Sequence, residues 1–473
     1  MALEVIVLAA GMGTRMHSSK PKVLHEIAAA PMLFHVLRTA ASLQPSKIHV
    51  VLGHQSEKVT AALATLESQE PELYHKLNVV LQQEQLGTAH AVKQVLPHLS
   101  AANQVVILYG DTPLTPRHLL EELLSGLNQH SLTMLTANLS NPTGYGRIIR
   151  DASGQVLGIV EEKDATAEQK KLSEVNMGML ASTTEILQLY VPAINNNNAQ
   201  HEFYLTDLIG LLVQAAAQSQ VAHGVGAVQA ACADIPLLSG INNKLQLSQV
   251  ERLYQRQAAE RLMLSGVTLA DPERFDLRGE LICGQDCFID TNVIIKGKVV
   301  LGNNVIIGTG CVLSDVTIGD NSEISPYTIM EKSELKKHTT IGPFARLRPG
   351  NVLEDEVHIG NFVEVKNSHI DEGTKAGHLT YIGDSDIGKK TNIGAGTITC
   401  NYDGAYKHRT TIGNDVFIGS DTQLVAPVTV EDGATVAAGT TVTKTVPANQ
   451  LVLTRVNPVL VSTYKRPRKT PKA

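Results

Sequence analysis

The chain has 473 residues, of which 43% are hydrophobic, and its formal net charge is −6. This length predicts two or three cores at about 100–200 residues per domain, and the acidic balance argues against a nucleic-acid-binding protein. No stretch approaches the ~18–20 apolar residues of a membrane span, the first residues lack a signal-peptide pattern, and five cysteines without paired spacing suit a reducing compartment. We therefore expect a cytoplasmic protein without nucleic-acid or membrane partners.

The first half of the chain alternates short apolar strands with amphipathic helices. Strands are predicted over 3–10, 47–52, 78–82 and 104–109, and helices over 31–43, 58–66, 88–96 and 117–128. Strands spaced by helices predict an open α/β sheet of the Rossmann-like kind, whose ligands bind at the carboxyl ends of the strands. We assign residues 1–235 to this domain.

A glycine-rich loop follows the first strand. Gly11 and Gly13 let backbone N–H groups approach an anion closely, while Arg15 and Lys22 supply positive charge suited to a triphosphate. The loop is not a dinucleotide fingerprint, because Met16 stands at the third glycine position, and no Walker sequence follows. Taken alone, it is also compatible with a tight turn carrying solvated basic side chains.

Further blocks in the same order strengthen the phosphate-binding interpretation. They are Gln82, Gln85–Ala89, Tyr109–Asp111, Asn141–Arg147, Glu161–Lys163 and Asn176. With the loop, they resemble the sugar-phosphate nucleotidyltransferases, which transfer a nucleoside monophosphate onto a sugar 1-phosphate and release pyrophosphate. The resemblance implies nucleotide-sugar-binding residues at Leu8, Ala9, Ala10, Gly11, Gly13, Lys22, Gln82, Gly87, Thr88, Tyr109, Gly110, Asp111, Gly146, Glu161, Asn176 and Asn242.

A magnesium site is expected in this domain. Asp111 follows an apolar strand, where a carboxylate can hold Mg²⁺, although a lone Asp there is more often a turn or cap residue. The family resemblance implies a second oxygen ligand from Asn242. Arg15 and Lys22 are then the catalytic charges that let the sugar phosphate attack the α-phosphorus, without a protein nucleophile.

A connecting helix is predicted over 242–265. Leu247, Val250 and Tyr254 recur at helical spacing, and Gly266 lies where a C-terminal cap is expected. We assign residues 236–266 to this linker, 267–455 to the next domain and 456–473 to a basic, solvated tail.

The second half of the chain is a hexapeptide repeat. Aliphatic or aromatic residues recur at every sixth position in three runs: Phe288, Ile294, Val300, Ile306, Val312, Ile318 and Ile324; Leu335, Ile341, Leu347, Leu353, Ile359 and Val365; and Ile412, Ile418, Leu424, Val430, Val436 and Val442. The residue two positions earlier is usually small or β-branched, as at Ser322, Thr410, Val416, Thr422, Val428, Ala434 and Thr440. This pattern predicts a parallel β-helix with both positions facing inward.

The repeat is interrupted where unusual polar segments occur. Register slips follow Ile324 and Val365, and an insertion containing Asn401-Tyr402 separates Thr399 from Ile412. The segments around them are Ala345–Gly350, Gly360–Lys366, Lys375–Tyr381, Asn392–Gly404 and Gly419–Pro427. They resemble the acetyltransferase half of the bacterial bifunctional family N-acetylglucosamine-1-phosphate uridyltransferase/glucosamine-1-phosphate N-acetyltransferase, and the domain order matches too. This resemblance implies a left-handed β-helix and a homotrimer.

The resemblance assigns roles within the solenoid. His378 is the candidate base, since an imidazole with a pKa near 6.5 suits proton removal from an amine, although a single His in a solenoid is more often structural. The residues implied for glucosamine 1-phosphate are Arg348, Lys366, Tyr381 and Asn392. Those implied for acetyl-CoA are Ala395, Asn401, Tyr402, Ser420, Ala438 and Arg455, with Ser420 as a hydrogen-bond donor and not a nucleophile.

The leading hypothesis is an enzyme with two sites. It acetylates glucosamine 1-phosphate with acetyl-CoA, then couples N-acetylglucosamine 1-phosphate to UTP with Mg²⁺, giving UDP-N-acetylglucosamine. A second hypothesis retains only the nucleotidyltransferase and makes the solenoid an oligomerisation scaffold. A third treats the solenoid as a trimeric interaction scaffold without catalysis.

Overall fold

The computed structural model describes residues 2–456 and 458–467, so the predicted tail lies partly outside the described residues. The chain divides into two compact units, Met1–Tyr254 and Gln255–Ala473. The division falls within a helix over Lys244–Leu264, close to the predicted connecting helix over 242–265. In the described part of the chain, no helix has both the length and the hydropathy needed to span a membrane.

The first unit is built on a nine-stranded mixed sheet, with one small hairpin beside it. Its strands are β1 Leu3–Ala9, β2 Glu26–Ile27, β3 Ala30–Pro31, β4 Lys47–Leu52, β5 Leu77–Leu81, β6 Gln104–Tyr109, β7 Leu132–Asn138, β8 Arg147–Arg150, β9 Val156–Val160, β10 Glu174–Thr183 and β11 Val225–Gln229. The main path runs β11-β7-β10-β6-β1-β4-β5. Strand β1 pairs in parallel with β4 and β6, whereas β10 is antiparallel to β6 and β7.

The first unit also contains α-helices, the last of which extends past the end of this unit. They are α1 Met32–Ser42, α2 Ser56–Ala64, α3 Leu66–Gln69, α4 Pro71–Tyr74, α5 Thr88–Val95, α6 Arg117–Gly126, α7 Thr184–Tyr190, α8 Asp207–Ala217 and α9 Lys244–Leu264. Along β1, Val5 and Val7 belong to one buried cluster, and Ile6 and Leu8 belong to another. Both faces of β1 are therefore covered, which explains why its sequence is apolar throughout and does not alternate with polar residues.

The strand ends explain where ligands can bind. Leu8 in β1 is paired with Tyr109 in β6, so the glycine-rich loop and Asp111 leave the sheet at the same edge. Gly87 caps α5 with a φ of 116°. A Cβ at Gly87 would lie 2.5 Å from the Phe203 carbonyl oxygen, so this tight entry to α5 requires glycine. The open α/β sheet predicted from the sequence is confirmed.

The second unit is a solenoid of short parallel strands. They are β12 Thr268–Leu269, β13 Phe275–Cys283, β14 Phe288–Ile289, β15 Val293–Leu301, β16 Ile306–Ile307, β17 Val312–Ser314, β18 Thr317–Ile318, β19 Glu323–Ile324, β20 Ile329–Glu331, β21 Ser333–Leu335, β22 Thr340–Ile341, β23 Arg346–Leu347, β24 Asn351–Leu353, β25 His358–Asn361, β26 Glu364–Lys366, β27 His369–Ile370, β28 Lys375–His378, β29 Tyr381–Gly383, β30 Ser385–Ile387, β31 Asn392–Ile393, β32 Ile398–Cys400, β33 Thr410–Ile412, β34 Phe417–Ile418, β35 Gln423–Val425, β36 Val428–Val430, β37 Thr435–Val436, β38 Thr441–Val442 and β39 Leu451–Val452. They form one eleven-stranded and one seventeen-stranded sheet. The predicted parallel β-helix is confirmed.

Inward-facing aliphatic side chains stack from coil to coil. Ile324 is paired with Ile341, and Ile341 with Ile359, each almost fully buried. The small residues two positions before the aliphatic ones are also buried, from Ser322 to Thr440. Burial of side chains at both positions supplies the core that a single coil lacks.

The first run of sixes is one residue out of register. Ile306 is 45% exposed, whereas its neighbour Ile307 is fully buried; the buried residues of this region are Ile289, Ile295, Leu301, Ile307 and Leu313. The prediction that Phe288, Ile294, Val300, Ile306 and Val312 point inward is therefore wrong. Because adjacent positions are both apolar there, the spacing alone does not identify the buried one. The side of the coil between Leu313 and Ile318 is one residue shorter than the others, so the buried position coincides with the predicted one again at Ile318.

Candidate active sites in the two units

Four predicted residues of the first unit meet at one point. The Lys22 ammonium donates to Asp111 Oδ2 at 2.5 Å and to Asn242 Oδ1 at 2.8 Å. Arg15 Nη2 also donates to Asn242 Oδ1, at 2.8 Å. The loop after β1, the end of β6 and the residues before α9 thus bring two oxygen ligands and two cations together.

The same contacts test whether magnesium suits these residues. Asp111 and Asn242 both direct a side-chain oxygen at one cationic group, the Lys22 ammonium. Carboxylate and amide oxygens are hard ligands, and Mg²⁺ commonly takes only one or two from the protein while phosphates and water supply the rest. The donor set therefore fits Mg²⁺ shared with a phosphate substrate. Among the described residues, no cluster of three or more His, Cys, Asp or Glu side chains forms an alternative metal site.

A cavity of about 350 Å³ opens beside the glycine-rich loop. The predicted residues that line it are Leu8, Ala9, Ala10, Gly11, Lys22, Gln82, Gly87, Thr88, Tyr109 and Asp111. The Gln82 amide, nearly buried, donates to the carbonyl of Gly87 and so supports the turn into α5. The lining of this first cavity is mostly apolar, and Lys22 adds a positive charge suited to the phosphates of a nucleotide.

A second cavity, also of about 350 Å³, shares Tyr109 and Asp111 with the first. The other predicted residues that line it are Arg15, Gly146, Glu161, Asn176 and Asn242. A Cβ at Gly146 would lie 3.3 Å from Glu161 Oε1, so a larger side chain would crowd that carboxylate. Asp111 therefore stands between two adjoining pockets, the arrangement needed to join two substrates.

Burial shapes the acid–base properties of the second cavity. Burial raises the pKa of Glu161, although its Oε1 accepts a hydrogen bond from Thr206 Oγ1 at 2.9 Å, which opposes the shift. Burial, followed by the charges of Glu161 and Asp111, raises the pKa of the Tyr109 phenol. Tyr109 therefore remains a neutral hydroxyl between the two pockets.

Two predicted site glycines line neither cavity. A Cβ at Gly13, whose φ is 62°, would lie 2.5 Å from the Lys22 Cβ. A Cβ at Gly110 would lie 3.1 Å from the Ala9 Cβ. Gly13 and Gly110 therefore have a packing role, because their lack of a side chain lets Lys22 and the strand ends lie close to the backbone.

In the solenoid, His378 is paired with Asn361 of the preceding coil. Strand β28 lies beside β25 with these two residues in register, and His378 Nδ1 is 2.7 Å from Asn361 Oδ1. An amide oxygen accepts only, so this contact places the proton on Nδ1 and leaves Nε2 as the basic nitrogen. His378 is exposed and accessible to a substrate.

Several predicted acetyl-CoA residues lie in the same column as His378. In successive coils Ala376 is paired with Ile393, Ile393 with Ile418, and Ile418 with Val436. The residues two positions beyond these, and beyond Ile359, form what we call the His378 column: Asn361, His378, Ala395, Ser420 and Ala438. Arg455 reaches the end of this column, donating to the Ala438 carbonyl at 2.7 Å.

A second group surrounds a buried carboxylate. Asp384 Oδ2 accepts from Asn401 Nδ2 at 2.5 Å and lies 3.6 Å from the Lys366 ammonium. Asn401 also donates to the Tyr381 hydroxyl, at 3.4 Å. With Lys407 these residues form what we call the Asp384 cluster: Lys366, Tyr381, Asp384, Asn401 and Lys407. It unites predicted sugar-phosphate residues with a predicted acetyl-CoA residue.

Lys407 was not singled out in the sequence. It lies in the insertion, where it forms an antiparallel bridge with the exposed Tyr402. The nearby Lys366 ammonium lowers the pKa of Lys407, which means that two positive charges stand side by side. Arg348 lies one coil from Lys366, with Nη1 3.1 Å from Glu364 Oε1. Three cations thus collect in one region, as a phosphate-binding site requires.

The His378 column and the Asp384 cluster lie on different sheets of the solenoid. His378 and Asn392 lie on strands of the eleven-stranded sheet, whereas Lys366, Tyr381 and Asn401 belong to the seventeen-stranded sheet or its insertion. In the ranges 2–456 and 458–467, no hydrogen bond or ion pair joins the two groups. The two groups therefore belong to different sheets of the chain and make no direct polar contact in the described residues.

Sequence reasoning missed three supporting residues of the solenoid. Asn361, Asp384 and Lys407 contact predicted residues without belonging to the predicted set. Asn361 was within reach, because the repeat places it one coil before His378. Asp384 was also within reach, because the repeat places it directly after Gly383, the partner of Lys366 in the next coil. Lys407 carries no such signal, since it lies in the insertion.

Three family models match parts of the chain. The MobA-like NTP transferase domain matches residues 5–172, and the GMPPB C-terminal domain matches residues 277–361. The bacterial transferase hexapeptide model, with six repeats, matches residues 409–444. One transferase model therefore falls in each half of the chain.

Individual proteins match as well. The bifunctional protein GlmU of Pseudomonas entomophila (strain L48) is 49% identical over 473 residues, which is 100% of both chains. A solved Bacillus anthracis structure, described as a glucose-1-phosphate thymidylyltransferase in complex with sucrose, is 16% identical with a TM-score of 0.40, covering 53% of this chain and 95% of that one. A UDP-glucose pyrophosphorylase complexed with UDP-glucose is 15% identical with a TM-score of 0.38, covering 45% of this chain and 86% of that one.

Proposed function

The chain belongs to the family of the bifunctional protein GlmU, and from that premise we propose that it makes UDP-N-acetylglucosamine from glucosamine 1-phosphate in two steps. The first step is acetyl transfer from acetyl-CoA in residues 267–455, and the second is uridylyl transfer from UTP in residues 1–235. The match over both entire chains carries the proposal. It confirms the prediction of a bifunctional enzyme over a nucleotidyltransferase with an inert solenoid.

In the uridylyl step, UTP occupies the first cavity and N-acetylglucosamine 1-phosphate the second. The sugar phosphate oxygen attacks the α-phosphorus, the bond to the bridging oxygen breaks, and pyrophosphate leaves. Lys22 and Arg15 stabilise the negative charge that develops on the phosphates, and the shared position of Asp111 holds both substrates near the reacting atoms.

We include Mg²⁺ in this proposal. The oxygens of Asp111 and Asn242 would hold it, and it would neutralise phosphate charge during the transfer. The support is the convergence of these two oxygens on a single cation, the Lys22 ammonium.

In the acetyl step, the amine nitrogen of glucosamine 1-phosphate attacks the thioester carbonyl carbon. The C–N bond forms, the C–S bond breaks, coenzyme A leaves as the thiolate, and His378 Nε2 takes the proton of the amine. Asn361 supports this role by holding the proton on Nδ1. The His378 column is proposed to carry the pantetheine arm, because its small residues Ala395 and Ala438 leave room along the coils.

The sugar phosphate is proposed to bind at the cations beside the Asp384 cluster. Arg348 and Lys366 were predicted for this role, and Lys407 adds a third positive charge. Tyr381 and Asn392 are proposed to contact the sugar, and Asn401 and Tyr402 to contact acetyl-CoA. These assignments require the His378 column and the Asp384 cluster to bind the same glucosamine 1-phosphate and acetyl-CoA molecules.

We propose a homotrimer, in which the His378 column of one subunit faces the Asp384 cluster of another. The assignment of the two groups to different sheets of one chain, without a polar contact between them in the described residues, supports this arrangement. So does an exposed stack of Tyr327, Phe344 and Phe362, with ring centroids 5.2 and 5.4 Å apart, which is the kind of apolar surface that subunits cover. Sedimentation velocity should give the mass of three chains, and a monomer that acetylates at full rate would contradict the proposal.

A cytoplasmic location is also proposed. The five cysteines are free thiols in the structure, which suits a reducing compartment, and acetyl-CoA and UTP are the proposed cosubstrates.

The proposal is tested by supplying the purified chain with the reagents of each step separately. With glucosamine 1-phosphate and acetyl-CoA it should release free coenzyme A thiol. With N-acetylglucosamine 1-phosphate, UTP and Mg²⁺ it should release pyrophosphate. Release of pyrophosphate without any thiol release would instead support the alternative of an inert solenoid.

A further inference from the structure

Asp384 occupies a constrained position between two parts of the solenoid. Its side chain is only 7% exposed, and its backbone has a φ of 49°, the left-handed region that few residues other than glycine, Asn and Asp adopt readily. Its N–H donates to the Lys366 carbonyl at 2.9 Å, and its own carbonyl accepts from Thr410 N at 3.2 Å. The backbone therefore fixes where the carboxylate points.

Each oxygen of this carboxylate has a separate partner. Oδ1 accepts from Asn367 Nδ2 at 2.6 Å, and Oδ2 accepts from Asn401 Nδ2 at 2.5 Å. The Lys366 ammonium lies 3.6 Å from Oδ2. One oxygen is thus shared between a residue proposed for the sugar phosphate and a residue proposed for acetyl-CoA.

The negative charge of Asp384 also acts on the two neighbouring lysines, Lys366 and Lys407. Burial alone would raise the pKa of this carboxyl group, but hydrogen bonds from Asn367 and Asn401, with the charges of Lys366 and Lys407, hold it below its usual range. The group is therefore ionised at neutral pH. Its negative charge offsets part of the repulsion between two neighbouring ammonium groups before a phosphate binds.

We propose that Asp384 is a positioning residue for the acetyl step, holding Lys366 in the sugar-phosphate subsite and Asn401 in the acetyl-CoA subsite at the same time. It touches neither substrate in this account. The inference rests on the proposed acetyl transfer and assigns a role to a residue outside the predicted site.

The role predicts a distinct kinetic pattern. Lys366→Ala should raise the KM for glucosamine 1-phosphate and leave the KM for acetyl-CoA nearly unchanged, and Asn401→Ala should do the reverse. Asp384→Asn removes the charge and replaces one acceptor by a donor, so it should raise both KM values, each by about tenfold or more, as expected when a hydrogen bond to a charged group is lost. Its kcat should fall much less.

The experiment measures both KM values and kcat for the full-length wild type and these variants. Uridylyl transfer by the same preparations reports folding of the first unit only, so urea unfolding followed with a solenoid-specific probe reports whether the unit that carries Asp384 is folded. Glu372→Gln is the matched control, since Glu372 is an exposed acid of the same solenoid, paired with Lys389 at 3.1 Å. It should leave both KM values unchanged.

Three outcomes would overturn the inference. They are unchanged KM values for Asp384→Asn, a rise in only one of them, or a fall in kcat alone. If Asp384→Asn does not fold, Asn401→Asp provides the second test: two carboxylates would then face each other, and both KM values should still rise. A wild type without thiol release would refute acetyl transfer itself, a result distinguishable from failure of the positioning role.

Discussion

The imidazole of His378 is exposed, and its Nδ1 lies 2.7 Å from the Asn361 side chain on the preceding coil. For the proposed role of His378 as a base, the orientation of the exposed ring and the nitrogen that carries the proton are decisive. The Asn361 oxygen determines both. In the other unit, the orientation of the Asp111 carboxylate depends in the same way on the hydrogen bond that Lys22 donates to it.

Asn361→Ala should lower kcat for acetyl transfer by about tenfold to a hundredfold, a part of the 10²–10⁴ that a positioned base contributes. The imidazole remains but loses its fixed tautomer and direction. Thiol release at saturating substrates measures the effect. Asn414→Ala, which removes another exposed amide that bridges two coils, is the control and should retain the wild-type kcat. Equal kcat values for both variants would exclude the orienting role.

At the scale of elements, the coils place residues by stacking. Glycine at position 360 permits β25 and β28 to approach, because a Cβ there would overlap the Gly377 carbonyl oxygen. This close approach occurs one residue before Asn361. The register between the two strands therefore determines whether Asn361 meets His378.

Gly360→Ala should destabilise the solenoid by about 1–3 kcal/mol, the usual cost of forcing an extra methyl group into a packed site. It should also reduce acetyl transfer, because the coils must separate beside the Asn361–His378 pair. Gly377→Ala is a matched control, since a Cβ there meets nothing within 4 Å. Urea unfolding followed with a solenoid-specific probe and thiol release measure both effects. Similar losses in the two variants would contradict the stacking argument.

Much of the element order could be predicted from the sequence, because local patterns specify it. The strands over 47–52 and 104–109 were predicted to the residue, since apolar runs bounded by polar turns leave little choice. The first run of sixes failed at Ile306 because its neighbour Ile307 is equally apolar. Lys407 and the contact between Asp384 and Asn401 escaped for another reason: both depend on how an insertion folds back, which no periodicity encodes. The approach of Asp384 to Lys366 follows from the coil register.

At the scale of the whole molecule, two chemistries are carried by separate units with different requirements. The first unit brings together two side-chain oxygens of the kind that Mg²⁺ prefers, whereas the site proposed in the solenoid uses an imidazole and cationic side chains. The two activities should therefore respond independently to conditions.

Removal of divalent metal ions separates them. Excess EDTA should abolish pyrophosphate release and leave thiol release unchanged, because no step assigned to His378 needs a metal. Adding Mg²⁺ beyond the chelator should restore pyrophosphate release. Loss of both activities on chelation would show that metal also supports the solenoid.

One chain is proposed to hold two independent active sites. The most direct test compares His378→Ala with Asp111→Asn, each alone and then mixed, supplied with glucosamine 1-phosphate, acetyl-CoA, UTP and Mg²⁺. Each variant alone should fail to make UDP-N-acetylglucosamine, with His378→Ala retaining uridylyl transfer and Asp111→Asn retaining acetyl transfer. The mixture should restore synthesis, because the acetylated intermediate can pass from one protein to the other. A mixture that stays inactive, or a single variant that loses both activities, would contradict the account.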